Sequence, residues 1–249
     1  MKIHTIDGFI QSIYLVEYPD KLMLLDGCSR ADHDIVIDYI EHTLKRSRFD
    51  LALILVTHMH PDHAGGASLL AKSCSAKIAT SNAPGQWYSG FDGMLMHWTD
   101  MLLAAYVGTR KGKRWQLRYY PRYLKADHYL ADGMTVPDFA EWQIMHTPGH
   151  TDRDIAVFHL PSQRIYVADL MVKVKGKLIA PFPLFYPKRY CHSLLAIKLL
   201  APRSVLLAHE GEIPFSEIDF DGLIDSAPKV PVTHWRSIKH KVKHVMGLR

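Results

Sequence analysis

The feature that most constrains this chain is residues 51–66, LALILVTHMHPDHAGG. Leu51-Ala52-Leu53-Ile54-Leu55-Val56 is an unbroken apolar run and reads as a buried strand. The run stops at Thr57, and His58-Met59-His60-Pro61-Asp62-His63 follow before Ala64-Gly65-Gly66. Pro61 cannot continue a ladder but suits the first turn of a helix, so these polar groups sit on a strand-to-helix loop. A core position explains one histidine, not three with a carboxylate in six positions. His58 and His60 alternate about Met59 and can face one side of an extended segment, with Asp62 and His63 at the helix entrance. Imidazoles and carboxylates together suit zinc, and on chemistry alone also iron or manganese.

The rest of the sequence supplies matching groups at strand ends. An expected strand at 141–146 runs into HTPGHTD, which places His150 after a Pro-Gly turn. RIYVADLM (strand 164–168) ends at Asp169, and SVLLAHEG (strand 204–208) ends at His209. Apolar strands that each end in a ligand-type residue are what a cleft along the ends of a sheet requires. Further expected elements are a hairpin of strands 9–17 and 21–25 around Tyr18-Pro19-Asp20, helices at 32–46, 63–73 and 190–200, and strands at 77–81 and 154–160. Residues 84–127 interrupt this rhythm: Met94, Leu95, Trp98, Met101, Leu102 and Ala105 recur at helical spacing, and RKGKRWQLRYYPRYLK follows. In the tail, Trp235, Ile238, Val242 and Val245 give an amphipathic helix with a basic outer face. The organisation expected for residues 1–249 is one domain with an insertion at about 84–127.

A chain of 249 residues can bury a full core, and its 48% hydrophobic and 22% charged residues are ordinary for a globular protein. Cys28, Cys74 and Cys191 are scattered without a CxxC pair, which argues against a disulfide framework or a cysteine zinc site. No apolar run approaches the length of a bilayer span, and residues 1–18 show no signal-peptide pattern, so a cytoplasmic location and no transmembrane segment are expected. The net charge of +5 is uneven. Arg110, Lys111, Lys113, Arg114, Arg118, Arg122 and Lys125 lie in a stretch free of acids, and Arg236, Lys239, Lys241, Lys243 and Arg249 form a second cluster. Such clusters are commonly solvated faces, and they also attract anionic substrates, nucleic acid or membrane surfaces.

With H-x-H-x-D-H (His58, His60, Asp62, His63), T-P-G-H-T (His150), a strand-end Asp169 and a strand-end His209 in this order, the chain resembles the metallo-β-lactamase superfamily. FIQSIYLVEYPDKLMLLDG also looks like that family's opening hairpin and Asp-Gly. The resemblance implies an α/β fold, the four-layer αβ/βα sandwich. It further implies two metal ions, zinc first and iron or manganese as alternatives. One site would be His58, His60 and His150, the other Asp62, His63 and His209, with Asp169 bridging. A hydroxide held by the metals would attack a carbonyl or phosphoryl centre, with Asp62 also orienting it and shuttling its proton. Asp26 would accept a hydrogen bond from a ligand histidine, the alternative being a plain Asp-Gly turn.

The fold does not choose the substrate. Antibiotic-cleaving relatives usually lack an acid at the place of Asp169, and the acyl-homoserine lactonases carry a tyrosine shortly after it, where this chain has Leu170-Met171-Val172. Flavodiiron proteins replace the histidine at the place of His60 by an acid. What remains is a metal-dependent hydrolase of a small ester, thioester or lactone. The alternatives are a phosphodiesterase of the same fold, or a nucleic-acid or membrane-surface binding protein with a vestigial site. The expected partner is a small-molecule substrate, not nucleic acid. The insertion reads equally as a lid, in which Trp98, Arg118 and Arg122 hold an anionic substrate, or as a homodimer element. Two departures from the family pattern stand out: Asp154 in place of a small residue, and Ala208-His209-Glu210 in place of Gly-His-Gly.

Overall fold

The computed structural model describes residues 1–247; Arg249 of the second basic cluster lies outside them. The chain divides into two compact units, one of Met1–Ala79, Pro84–His128 and the segment from Thr233 on, the other of Thr80–Ala83 and Tyr129–Val232.

The first unit is built on a six-stranded sheet whose strands lie in chain order: β1 (Lys2–Asp7), β2 (Ser12–Glu17), β3 (Leu22–Leu25), β4 (Leu51–Val56), β5 (Lys77–Ser81) and β6 (His128–Leu130). β5 and β6 run across the boundary between the two units. β1 to β3 pair antiparallel and β3 pairs parallel with β4. Five of the six residues of β4 are buried, as its continuous apolar run requires. The opening differs from the expected hairpin. Residues 9–11 are not strand: Gly8 N–H bonds the Gln11 carbonyl at 2.9 Å and makes them a turn. Ahead of it β1 pairs with β2 from Lys2↔Glu17 to Asp7↔Ser12. β1 escapes a hydropathy reading because one of its inward residues is His4, buried between the Tyr39 hydroxyl and the Glu17 carboxylate.

Two expected helices are broken. The segment at 32–46 starts as a 3-10 turn, Arg30–Asp32, capped by Ser29, continues as His33–Asp38 and widens into a π turn, Tyr39–Thr43. The segment after the histidine loop is two helices, Pro61–Ala64 and Ala67–Cys74, parted at Gly65-Gly66. A side chain at Gly66 would run into the Gly27 carbonyl and Cys28 Sγ. Only glycine allows the histidine loop to dock there, with Gly27 N–H bonding the His63 carbonyl at 2.7 Å.

The insertion forms one long helix, Gly90–Arg110, which packs on the tail helix His234–Val245. Asp92 meets His234 at 2.8 Å, and the rings of Tyr106 and His244 lie 5.3 Å apart. The buried face differs from the apolar stripe expected. It runs through Gly93, Met96, His97, Asp100, Met101, Ala105 and Gly108, while Trp98 is 44% exposed. The spacing of these residues is still i, i+3, i+4, but His97 and Asp100 are polar, as is the neighbouring buried Thr99, and hydropathy alone assigns all three outward.

The second unit has a six-stranded sheet in the order β14-β13-β10-β9-β8-β7. Its strands are β7 (Thr135–Val136), β8 (Phe139–His146), β9 (Ile155–His159), β10 (Arg164–Tyr166), β13 (Ser204–Leu207) and β14 (Gly211–Pro214); β11 (Val172–Val174) and β12 (Lys177–Ile179) form a separate hairpin. β10 and β13 pair parallel, so their carboxyl ends, which lead to Asp169 and His209, lie side by side. Helix Pro187–Leu200 contributes Tyr190, Leu194 and Ile197 to a core with Phe158, Ile165 and Val205.

Candidate metal centre

On the first unit the histidine loop is organised around Asp26, which is buried and held at φ 94, a backbone conformation rare for any residue but glycine. Its carboxylate accepts the Thr57 backbone N–H at 3.1 Å, the Thr57 hydroxyl at 2.8 Å and Nδ1–H of His63 at 2.6 Å. The bond to Asp26 fixes the His63 tautomer, with Nε2, the nitrogen that could take a metal, 3.6 Å from Asp62 Oδ2. Thr57 Oγ gives its proton to Asp26 and can therefore accept from His58 Nδ1, 3.1 Å away. That turns Nε2 of His58 toward Nδ1 of His60, at 3.0 Å. His58, His60, Asp62 and His63 are all buried, with Asp62 at 8% the most exposed. Pro61 occupies the first helical position and the N–H groups of His63 and Ala64 bond the His60 carbonyl, which holds the loop rigid.

On the second unit the same logic repeats with other partners. His150 gives Nδ1–H to the Pro183 carbonyl at 2.6 Å, so Nε2 is the nitrogen that could take a metal. Asp169 sits in the 3-10 turn Ala168–Leu170 just after β10, and His209 in the turn between β13 and β14. The Asp169 carboxylate is split between two histidines: Oδ2 lies 3.5 Å from His150 Nε2 and Oδ1 3.2 Å from His209 Nε2. A carboxylate with each oxygen turned to a different imidazole is arranged as a bridging ligand is.

Two acids have larger roles here than the sequence disclosed. Asp154, the departure after the T-P-G-H-T motif, is buried and ties that loop together. It accepts Thr151 N–H and hydroxyl, both at 2.6 Å, and Gly149 N–H at 3.2 Å. Burial raises its carboxyl while the nearby His150 and the Thr151 bonds pull it back. Asp100 on the long helix is buried beside Lys241 of the tail helix, with which it forms an ion pair. Lys241, read from sequence as part of a basic outer face, is therefore inside. Tyr88 donates to Asp100 at 2.9 Å, and burial pushes the phenols of Tyr88 and Tyr120 well up, so both are neutral donors.

The insertion residues proposed for substrate have these surroundings. Trp98 stands 6.1 Å from the ring of Tyr119. Arg118 is exposed and bonds Gln116 at 3.0 Å. Arg122 reaches back to the carbonyls of Tyr88 and Gly90 at 3.4 and 3.3 Å and lies over the Tyr123 ring.

Groups of histidine and aspartate able to hold a metal ion are thus present, and the donors fit one: imidazoles and carboxylates, without thiolate. The sequence matches the Metallo-beta-lactamase superfamily over residues 6–209, and the chain belongs to that superfamily. Its members are mostly metal-dependent hydrolases. Among solved structures, an archaeal metallo-beta-lactamase superfamily protein, ST1585 from Sulfolobus tokodaii, is 18% identical with TM-score 0.64, covering 98% of this chain and 95% of its own. FIM-1 from Pseudomonas aeruginosa, solved in a mono-zinc form, is 14% identical with TM-score 0.59, covering 93% and 85%. TTHA1623, solved in a di-iron-bound form, is 18% identical with TM-score 0.56, covering 87% and 96%. At such identities the likeness shows the fold alone: mixed α/β of the metallo-β-lactamase type, as the motifs imply. No curated protein sequence matches the chain. Among the described residues no helix is long and apolar enough to cross a membrane.

Proposed function

We propose that this chain is a dinuclear metal-dependent hydrolase of a small ester, thioester or lactone. In this reading His58, His60 and His150 hold one ion, Asp62, His63 and His209 hold the other, and Asp169 is shared. The observation that carries it is the split carboxylate of Asp169, with His150 on one oxygen and His209 on the other. Zinc is the ion proposed, with iron or manganese as alternatives; the relatives named above were solved with zinc in one case and iron in another.

Two bound cations supply an acidified water and a Lewis-acid contact for the substrate oxygen. The chain's own residues do the rest. Asp26, Thr57 and Pro183 hold the imidazoles in one tautomer and orientation. Asp62 orients the attacking water and takes its proton. Trp98, Arg118 and Arg122 are proposed as contacts for an anionic, partly apolar substrate.

The deciding experiment is a panel of ester, thioester, lactone and phosphodiester substrates run on protein of measured metal content. Turnover of a carboxylic ester, thioester or lactone that disappears in Asp62→Asn supports the reading. Turnover confined to phosphodiesters replaces the substrate class and keeps the site. A chain that binds metal yet turns over none of them overturns the hydrolase reading.

A further inference from the structure

We propose that Asp100, clamped by Lys241 of the tail helix, is a positioning residue for the metal ligand His60. The inference rests on the reading above that His60 ligates. Asp100 and Lys241 are 5% and 1% exposed, and charged side chains are seldom so buried unless paired. An ion pair is an expensive way to join two helices, since apolar residues of similar size do it as well or better. This pair also points at the histidine loop. Lys241 takes Asp100 Oδ1, which leaves Oδ2 for Tyr88 at 2.9 Å and for His60 Nε2 at 3.9 Å.

His60 turns Nδ1 toward His58 Nε2, so Nε2 is its outer nitrogen, and a carboxylate on that side holds the ring and raises its basicity. At 3.9 Å the contact is short of a direct hydrogen bond, and the carboxylate acts on the dipole of the ring rather than through a bond to it. A second tie reaches the same loop. The Tyr120 hydroxyl donates to the Met59 carbonyl at 2.5 Å and lies 3.5 Å from the Tyr88 hydroxyl. Met59 is the residue between His58 and His60. A helix at the end of the chain is thereby tied to a histidine loop near its start. His63 has Asp26 and His150 has Pro183 as outer partner; Asp100 fills that place for His60.

The test compares wild type with Asp100→Asn/Lys241→Met, with Tyr88→Phe and, as a surface control, with Lys239→Met. The double variant leaves no buried charge unpaired, which keeps the helices together. Zinc affinity is read by chelator competition, geometry by the visible spectrum of the cobalt-substituted protein, and folding by thermal melting of the metal-free form. The expected result is a zinc affinity about 10- to 100-fold weaker in the double variant, with shifted cobalt bands and a melting curve near wild type. Tyr88→Phe should fall between, and Lys239→Met should match wild type. A folded double variant with wild-type zinc affinity and an unchanged cobalt spectrum overturns the proposal. Should the double variant not fold, unchanged zinc affinity in Tyr88→Phe overturns it instead. A wild-type chain that takes up neither zinc nor cobalt fails the metal reading itself, whereas a metal-binding wild type with silent variants fails this inference alone.

Discussion

His63 donates Nδ1–H to Asp26 across 2.6 Å, and neither side chain is more than 2% exposed. The same carboxylate also holds the backbone and hydroxyl of Thr57, so one acid sets both ends of the turn from β4 into the histidine loop. Asp26→Asn keeps the size and loses the charge. The amide can accept from some of these donors but must bring an N–H against another. The expected cost is about 2 kcal/mol in unfolding by urea and roughly a 10- to 100-fold weaker zinc affinity. Unchanged zinc affinity in a destabilised variant would limit Asp26 to the fold.

Asp169 is the residue whose loss should reach both ions. Elemental analysis should find two ions per chain in the wild type and a deficit at both sites in Asp169→Ala. Dialysis against a chelator should abolish hydrolysis, and added zinc should restore it in the wild type but not in the variant. One tightly held ion, unchanged in Asp169→Ala, would contradict the shared carboxylate.

A pH effect follows from His97. It is buried among Tyr88, Tyr119 and Tyr120, and desolvation lowers its pKa below the usual 6.5, against the pull of Asp100 and with the push of Arg122. A base depressed in the folded state binds its proton more readily when unfolded. Its contribution to stability is therefore complete above pH 6.5 and is lost as the pH falls below it. Melting temperatures of metal-free protein between pH 7.5 and 5, about one unit either side of the ordinary histidine pKa, should drop less steeply in His97→Phe than in the wild type. Parallel curves would show that His97 charges as easily inside as out.

Most of the candidate site residues are legible in the sequence because they stand just past a strand: β4 leads to the histidine loop, β10 to Asp169 and β13 to His209. Elements made with polar inward residues are not. β1 hides behind His4, and the buried face of the long helix contains His97 and Asp100, so apolar spacing alone turns that helix the wrong way. Lys241 belongs to the same kind. Nothing local separates it from Lys239 and Lys243, and only Asp100, 141 residues earlier, explains why it lies inside. Asp154 was visible as a departure, but its work follows from the fold-back of its own loop, where three donors converge on one carboxylate.

The two arginines proposed for substrate should separate on substitution, because their surroundings differ. Arg122 bonds the carbonyls of Tyr88 and Gly90 at the start of the long helix, so it helps to pin the basic arm to that helix. Arg118 is exposed and meets only the neutral side chain of Gln116 among the hydrogen bonds described for it. Arg122→Ala should cost about 1 kcal/mol of stability, since hydrogen bonds from a charged donor are lost from a partly exposed position. Arg118→Ala should leave stability alone. If the arm holds an anionic substrate, Arg118→Ala should raise KM several-fold for an anionic substrate and leave KM for a neutral ester, kcat and metal content unchanged, the signature of a lost binding contact made equally in ground and transition states. A change in association state on size-exclusion chromatography, with turnover intact, would assign Arg118 to contacts between copies of the chain. Wild-type values of both would remove Arg118 from the substrate site.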